Sequence, residues 1–187
     1  MSEKRGKRPS PPGVSASDDV ESMIRVDHAG EYGAVRIYAG QLAVLGNRVG
    51  AKKTATAIRK MALQEQGHLK AFDQLVNERR VRPTALAPVW HVAGFALGAA
   101  TALMGEKAAM ACTAAVEDVI DRHYASQIAR IKNDDDLKTR IEAFRADEIA
   151  HRDEAIARGA EEAPGYRLLS SAIKAGCRLA IKLSERI

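Results

Sequence analysis

Two short segments of the sequence carry the same pair of potential metal-binding side chains. Both Glu65-Gln66-Gly67-His68 and Glu148-Ile149-Ala150-His151 follow the pattern Glu-x-x-His. Three residues make about one turn of an α-helix, so each glutamate and its histidine point in the same direction from one helix face. Each segment can therefore present a carboxylate and an imidazole together to a metal ion.

A single glutamate precedes each pair, in a stretch of small and apolar residues. Glu31 lies 34 residues before Glu65, and Glu117 lies 31 residues before Glu148. Two helical hairpins folded against each other would bring four carboxylates and two imidazoles into one bundle interior. This is the ligand set of a ferritin-like two-metal carboxylate site. The predicted metal ligands are Glu31, Glu65, His68, Glu117, Glu148 and His151.

The repetition of the pattern decides between a metal site and a simpler alternative. One Glu-x-x-His pair alone fits a solvated helix surface, and such matches occur by chance. Two pairs, each with an upstream glutamate at a similar distance, favour the metal site. Four charged carboxylates in an apolar bundle would repel one another, and burying their charges would cost hydration free energy. Protonation removes this cost, and two divalent cations cancel the four charges.

Length and composition favour one all-α domain. The chain has 187 residues, few aromatic residues and no strand-like alternating runs. The net charge of +5 comes largely from the first ten residues and no RNA- or DNA-reading motif accompanies it, so we expect no nucleic-acid partner. Cys112 and Cys177 lack metal or redox spacing, which indicates free thiols in a reducing compartment.

The N-terminal residues 1–17 are rich in proline and serine and are predicted to form a disordered tail, with one domain over residues 18–187. The tail fits either a mitochondrial transit segment or a plain bacterial N-terminus, and it lacks the features of a secretory signal peptide. Capping and turn residues predict four helices that carry the ligand candidates, at about Ser17–Leu45, Ala51–Arg80, Lys107–Ile131 and Leu137–Arg158.

Two further segments are apolar or amphipathic helices. Residues 83–105 carry no formal charge, but Pro88 and an Ala/Gly-rich composition argue against a full membrane span. We expect a helix half buried in its own protein and half facing lipid or a partner. Residues 166–187 form a basic amphipathic helix that suits an anionic membrane surface, although an ordinary core-packing helix with a solvated cationic face is nearly as good an interpretation. Its cationic arc holds Arg167, Lys174, Arg178, Lys182 and Arg186.

Polar residues close to the ligand candidates have two alternative roles each. Asp27 lies one turn before Glu31 and either supports that ligand or forms a surface ion pair with Arg25 or Arg36. His28, three residues before Glu31, is a weaker candidate for contact with the site.

Tyr124 follows Glu117 by seven residues, which places it on nearly the same helix face two turns away. It is a candidate for hydrogen bonding to a metal-bound oxygen or a substrate, or else for simple packing. His123 lies about 120° from Glu117 around the same helix.

Several strings of the chain, from about Ser22 to the C-terminus, resemble the demethoxyubiquinone hydroxylases. The matching segments are residues 25–34, 36–41, 94–98, 108–113, 123–124 and 175–178. The resemblance implies an aerobic monooxygenase that hydroxylates a polyprenyl-methoxy-methyl-benzoquinol late in ubiquinone biosynthesis. It also implies a ferritin-like di-iron protein on the inner face of a respiratory membrane, either the cytoplasmic side of a bacterial membrane or the matrix side of the mitochondrial inner membrane.

Carried over to this chain, the family's iron ligands fall on the same six residues that the spacing selects. His123 and Tyr124 match family positions close to the metal and the quinone, and are the predicted catalytic residues. Iron suits the six ligands because carboxylate and imidazole donors leave exchangeable positions on two redox-active ions, without competing thiolates. Two iron ions would use O2 as co-substrate, insert one oxygen atom into the ring and release the other as water.

The source of electrons is open from the sequence, because no G-x-G-x-x-G, flavin or P-loop pattern is present. The resemblance implies NADH, acting on the quinone directly or through another protein. Self-association into a homo-oligomer and a lipid-binding accessory protein are further expected partners.

Two alternatives come from other functional classes. A ferritin-like iron oxidase or storage protein would share the six ligands without needing the charge-free segment or the basic tail. A metal-free helical membrane adaptor would need those segments but not the ligands.

Overall fold

The computed structural model describes residues 16–186, with side chains from Asp19 onward, and is all-helical over that range. A short 3-10 turn at Ala160–Glu162 separates the last two of six α-helices. The helices are α1 Ala16–Leu45, α2 Lys52–Glu78, α3 Ala87–Leu103, α4 Glu106–Ile128, α5 Asp135–Ala157 and α6 Tyr166–Ser184. The predicted all-α fold is confirmed. Most of the predicted disordered tail, residues 1–15, lies outside the described residues, and its last two residues belong to α1.

Four of the helices form the predicted bundle. α1 packs against α2, α2 contacts α5, α5 packs against α4, and α4 contacts α1. The other two helices are added on one side, with α3 packed along α1 and α6 packed along α4. The predicted arrangement of a four-helix bundle with two additional apolar or amphipathic helices is therefore what the chain forms.

Two of the three clusters of buried apolar side chains lie at opposite ends of the bundle. One cluster combines the C-terminal end of α1 with the N-terminal ends of α2 and α4, and includes Tyr38, Leu45, Ile58, Met61 and Met110. The other combines the opposite helix ends and includes Ile24, Phe72, Leu75, Leu137 and Ile141. A fully buried side chain of this size stabilises the fold by about 1.5–3 kcal/mol. The six candidate ligands fall between the clusters on all four helices.

Glycines allow α3 to approach α1 closely. A Cβ atom on Gly98 would lie 2.0 Å from the carbonyl oxygen of Ile37, and one on Gly40 would lie 2.1 Å from the carbonyl oxygen of Phe95. Since such distances are impossible for real atoms, any larger residue would push the two helices apart. Glycine is a poor helix former, and close packing explains its presence at Gly40 and Gly98.

Residues 83–105 form a turn followed by α3, which begins with Pro88 in its first turn. Gly94, Gly98 and Thr101 are buried on the α1 side, whereas Val92 and Leu103 are 67% and 73% exposed. Among residues 16–186, no helix combines the length and the apolarity needed to cross a membrane. The expected half-buried, half-exposed helix is confirmed.

Candidate metal centre

All six candidate ligands meet in the interior of the bundle. Each is at most 4% exposed. α1 and α4 each supply one glutamate, and α2 and α5 each supply a Glu-x-x-His pair, because residues three apart on a helix share a face. The ligands are Glu31, Glu65, His68, Glu117, Glu148 and His151.

The six side chains form two overlapping groups that could each hold one metal ion. In each group, one ligand atom from every residue lies within 4.8 Å of the others. Glu65 and Glu148 belong to both groups, so their carboxylates lie between the two positions. Glu31 and His68 complete the first group, and Glu117 and His151 complete the second.

Both histidines turn the same ring nitrogen inward. His68 Nδ1 lies 3.2 Å from Glu148 and 3.5 Å from Glu31, and His151 Nδ1 lies 3.0 Å from Glu65. Each Nε2 faces the outside of the bundle and has a polar partner there. The rings are therefore oriented to offer Nδ1 to a metal while Nε2 donates a hydrogen bond.

Buried polar atoms without hydrogen-bond partners show that these residues fit a metal pair. The unpartnered atoms include Glu31 Oε2, Glu65 Oε1, His68 Nδ1, both carboxylate oxygens of Glu148 and His151 Nδ1. Buried polar atoms in proteins are nearly always paired, and a cluster of exceptions needs an explanation. Here the exceptions converge on one point, as metal ligands do.

The protonation of the metal-free cluster follows from its burial. Burial raises the pKa of Glu31, Glu65 and Glu117, since neighbouring carboxylates cannot all be charged in a site without water. Burial alone would raise the pKa of Glu148 too, but the imidazoles of His151 and His68 close beside it hold that pKa at about 2. Burial would lower the pKa of His68, yet the nearby carboxylates of Glu148 and Glu31 raise it to about 10. Metal binding must therefore displace protons.

Two tyrosines form hydrogen bonds to the two glutamates that are not shared between the ligand groups. The Tyr124 hydroxyl donates a hydrogen bond to Glu31, and the Tyr38 hydroxyl donates one to Glu117 over 2.8 Å. Both tyrosines are 1% exposed. Sequence reasoning missed Tyr38, although it follows Glu31 by seven residues just as Tyr124 follows Glu117.

His123 lies at the edge of the centre as part of a polar trio. Its Nε2 is 3.2 Å from Asp27 Oδ1 and 2.9 Å from Gln127 Nε2, and Gln127 Nε2 donates to Asp27 over 2.8 Å. Asp27 is 3% exposed, and burial raises its pKa. The alternative of a surface ion pair between Asp27 and Arg25 or Arg36 is wrong, because the side chain points into the bundle.

His28, the weaker candidate on α1, is not brought into the centre. Its Nε2 lies 2.9 Å from Asp73 on α2, and it belongs to neither ligand group. The difference from Asp27 is one helix position, or about 100° around α1.

A small cavity of about 20 Å³ lies against the ligands. Four of the six ligands line it, together with Asp27, His123 and Tyr124. A space of this volume admits about one water molecule. His123 also lines a separate polar cavity of about 500 Å³ that includes Arg25, Arg130 and Glu185. His123 thus stands between the centre and a polar exterior.

A much larger apolar groove of about 540 Å³ runs among α1, α3, α4 and α6. Small residues such as Gly33 and Gly176 give it open walls, since a Cβ on either would touch nothing within 4 Å. Trp90 of α3 donates to Ser184 of α6 over 3.2 Å and ties the two added helices together. The groove meets the small cavity along five shared residues, which are Val26, Gly30, Ala34, Ile120 and Ile181.

The outer face of α6 differs in one respect from the expected continuous cationic arc. Lys174 forms an ion pair with Asp118 of α4 at 2.9 Å, while Arg167, Arg178 and Lys182 are exposed. Leu168 and Leu179 are 79% and 58% exposed beside them. The helix therefore packs one face on α4 and presents a mixed basic and apolar surface outward.

A helical bundle whose four helices supply one Glu, Glu-x-x-His, one Glu and Glu-x-x-His defines the class of ferritin-like two-metal carboxylate proteins. Comparison with known families is more specific, since the sequence model of ubiquinone biosynthesis protein COQ7 matches residues 18–184. The chain belongs to the family of ubiquinone biosynthesis protein COQ7.

Relatives from bacteria and eukaryotes agree with this assignment. The chain is 56% identical over 169 residues to the 3-demethoxyubiquinol 3-hydroxylase of Rhodospirillum rubrum, covering 90% of this chain and 78% of the relative. It is 52% identical over 173 residues to the human mitochondrial NADPH-dependent 3-demethoxyubiquinone 3-hydroxylase, with the same two coverages. The mitochondrial 5-demethoxyubiquinone hydroxylase of Saccharomyces cerevisiae is 40% identical over 184 residues, covering 90% of this chain and 78% of the relative. The resemblance read from the sequence is confirmed.

Proposed function

We propose that this chain is a 3-demethoxyubiquinol 3-hydroxylase of ubiquinone biosynthesis that uses two iron ions and O2. The observation that carries this proposal is the convergence of six buried side chains, with their unpartnered atoms turned towards one another, in a chain of this family. Iron storage would leave the charge-free segment and the basic C-terminal helix unexplained. A metal-free adaptor would leave the six buried ligands unexplained.

The donor set supports iron as the metal. It consists of carboxylate oxygens and imidazole nitrogens, which suit iron in oxygen-using enzymes, and it contains no thiolate. Glu31 and His68 would hold one ion, Glu117 and His151 the other, and Glu65 and Glu148 both. Held by these residues, two irons would supply the redox chemistry by which one atom of O2 is added to the ring and the other is released as water.

The groove supports a substrate with a long apolar tail. Its lining is almost entirely aliphatic, and it meets the small cavity beside the ligands. A polyprenyl tail lying between α3 and α6 would place its quinol ring at the shared residues, next to Glu31. Burial of the tail would stabilise the complex by about 0.8 kcal/mol per CH2 group removed from water.

Residues around the small cavity would position the reacting ring and exclude water. Tyr124 holds Glu31 through its hydroxyl and lines the cavity, so it can orient the carboxylate and contact the quinol. His123 lies between this cavity and the polar one, hydrogen-bonding distance from Asp27. This location suits a group that holds or moves a proton between the ring and solvent.

A reduced pyridine nucleotide is the proposed electron donor. The human relative is named as NADPH-dependent, and the resemblance implied NADH, so the two nucleotides must be compared directly. The conversion of O2 into one ring oxygen and one water needs two electrons and two protons. Either nucleotide would supply both electrons and one proton as a hydride, and solvent would supply the second proton.

The outer surfaces of α3 and α6 support a peripheral location on a membrane. Val92 and Leu103 of α3 and Leu168 and Leu179 of α6 are exposed apolar side chains, and α6 adds exposed basic residues. Such a surface binds anionic lipid headgroups and lets the substrate enter the groove from the bilayer. We place the protein on the inner face of a respiratory membrane, bacterial or mitochondrial, where a second copy or a lipid-binding accessory protein would meet the same surface.

Turnover of the purified iron-loaded protein tests the proposal. Protein prepared without oxygen should bind about two iron ions per chain. With O2, NADH or NADPH and a short-chain demethoxyubiquinol, it should release the hydroxylated quinol. The double variant Glu148→Ala, His151→Ala should lose iron and product together, because it removes ligands of both positions.

Each alternative predicts a different result from the same experiment. A storage protein would oxidise and accumulate iron without any change in the quinol. An adaptor would bind no iron, and a product that persisted in the double variant would contradict the role of the six ligands.

A further inference from the structure

Two halves of the chain build the metal centre by the same plan. α1 and α4 each carry a glutamate followed seven residues later by a tyrosine. The hydrogen bonds cross between the halves, because Tyr38 donates to Glu117 and Tyr124 donates to Glu31. The centre is therefore nearly symmetric about an axis between its two metal positions.

The same crossing occurs at the histidines of α2 and α5. In each half, the residue just before the shared glutamate contacts the outer nitrogen of the other half's histidine. His68 Nε2 lies 3.0 Å from Asp147 Oδ2, and His151 Nε2 lies 3.2 Å from Gln64 Oε1. The two outer residues also touch each other, since Gln64 Nε2 donates to Asp147 Oδ1 over 3.3 Å.

The chemistry of these two partners breaks the symmetry. His68 faces a carboxylate, whereas His151 faces a neutral amide oxygen. A carboxylate that accepts the outer N–H of a metal-bound histidine makes the ring a stronger donor and fixes its tautomer, and loss of such a partner typically costs 10–100-fold in metal affinity. An amide oxygen fixes the ring equally well but adds no negative charge.

The surroundings of His68 restrict its ring and leave its partner Asp147 partly exposed to water. The ring is stacked on Phe144, with centroids 4.1 Å apart and planes inclined by 27°, so its orientation is restricted. The Asp147 side chain is 43% exposed, and water screens part of its charge. We therefore expect an effect near the lower end of the usual range.

From this asymmetry we infer that the two metal positions are unequal, and that the position of Glu31 and His68 binds a divalent metal about tenfold more tightly than the position of Glu117 and His151. Asp147 and Gln64 are the positioning residues that set this order. The inference depends on the metal centre of the proposed function, and it adds which position fills first and why.

Isothermal titration calorimetry, with Fe2+ added to the metal-free protein in the absence of oxygen, tests the order of filling. The unmodified protein should show two steps whose affinities differ about tenfold. Asp147→Asn should weaken the tighter step until the two coincide, because both histidines then face an amide. The exchange variant Gln64→Glu, Asp147→Asn keeps one amide and one carboxylate in contact and should reverse the order, so that one equivalent of Fe2+ is located beside His151.

Matched controls separate the histidine contacts from a general change of charge. Gln66→Glu adds the same charge to α2 at an exposed position, and Glu142→Gln removes one from an exposed position of α5. Both should leave the two steps unchanged. Anomalous scattering from crystals with one equivalent of Fe2+ should locate the iron beside His68.

The outcomes distinguish the inference from the proposed function. Two equal steps in the unmodified protein, iron beside its His151 at one equivalent, or iron still beside His68 in the exchange variant would each overturn the unequal positions while leaving a two-metal centre. If the unmodified protein does not bind two ions, the proposed metal centre itself is overturned.

Discussion

The interior of the four-helix bundle and the groove beside it are adjacent but opposite in character. The interior holds four carboxylates and two imidazoles, and the carboxylates line a cavity of only about 20 Å³. The groove encloses about 540 Å³ between almost wholly aliphatic walls. The interior holds ionisable side chains at fixed positions, whereas the groove offers a large apolar space. A reaction between a metal-activated oxygen and a lipid-like substrate needs both, and the shared residues between α1, α4 and α6 are where they meet.

Removal of a ligand that serves both metal positions should separate the two regions most clearly. Glu65→Gln keeps the size of the side chain but removes its charge from both groups. Supporting residues of metal ligands cost 10–100-fold, so loss of a shared ligand should reduce turnover by more than about 100-fold. Iron content per chain, measured beside turnover, should fall as well.

Substrate binding supplies the matching control for Glu65→Gln. The groove is untouched by this change, so a quinol analogue should still bind with unchanged affinity. An equal loss of iron and of quinol binding would mean that the two regions are not separate.

Filling the groove should produce the reverse pattern. Gly176→Leu places a side chain into open space on the groove wall, where no atom lies within 4 Å of the new Cβ. Displacing two or three methylene groups of a bound tail costs about 2 kcal/mol, which corresponds to a KM raised roughly 10–30-fold. Steady-state kinetics with substrates of different tail length measures this, and iron content should stay constant.

The neighbouring position provides the control for Gly176→Leu. Ala175 is exposed on α6 and does not line the groove, so Ala175→Leu adds the same side chain elsewhere. If both variants raise KM alike, the tail does not lie in the groove.

The sequence predicted the interior far better than the groove, for a physical reason. Helical periodicity alone places Glu65 with His68, and Glu148 with His151, on one face, so ligand identity can be read from spacing. The approach of α3 to α1 through Gly40 and Gly98 depends on contacts between distant segments, which spacing does not contain. The existence of two extra apolar helices was predictable, but the volume of the groove between them was not.

Smaller misses have the same origin. The burial of Asp27 depends on which face of α1 meets α4, and that face is set by packing. Tyr38 was accessible to sequence reasoning, because its spacing from Glu31 repeats that of Tyr124 from Glu117. Only the crossed hydrogen bonds show that the repetition has a structural meaning.

Membrane binding should depend on the groove side of the molecule alone. Replacement of Leu168 and Leu179 by glutamine removes two exposed apolar side chains from α6. Since each contributes at most 1.5–3 kcal/mol when fully buried, and an interface buries them only in part, we expect about tenfold weaker binding to vesicles with anionic lipid. Sedimentation with such vesicles gives the fraction bound.

Leu63 offers the matched surface for this comparison. It is 68% exposed on α2, a helix that contacts α1 and α5 rather than α6. Leu63→Gln should leave vesicle binding unchanged, and a loss equal to that of the α6 variant would show that the membrane surface is elsewhere.

The smallest predicted effect is on stability as a function of pH. In the metal-free protein, burial raises the pKa of Glu65 and Glu117 above the ordinary 4.5, and the nearby carboxylates of Glu148 and Glu31 raise the pKa of His68 from 6.5 to about 10. A group with a raised pKa in the folded state stabilises the fold below its unfolded pKa, and this stabilisation is lost as pH rises through the folded value. The metal-free protein should therefore become less stable between about pH 5 and pH 10.

Metal ions should reverse this trend, because they replace the protons at the carboxylates. The rise in Tm caused by Mn2+, a redox-stable substitute for Fe2+, should grow by roughly 2–4 °C from pH 6 to pH 8, equivalent to about 1 kcal/mol. Differential scanning calorimetry with metal or chelator measures it. A metal-induced rise that shrinks with increasing pH is incompatible with a protonated cluster.

The most direct test traces an oxygen atom from O2 into the hydroxylated quinol. The iron-loaded protein is given a short-chain demethoxyubiquinol, a reduced pyridine nucleotide and 18O2 in ordinary water, and the quinol product is analysed by mass spectrometry. We expect a hydroxylated ring that carries one 18O atom. Unchanged quinol, or a product whose new oxygen comes from water, would contradict the proposed function.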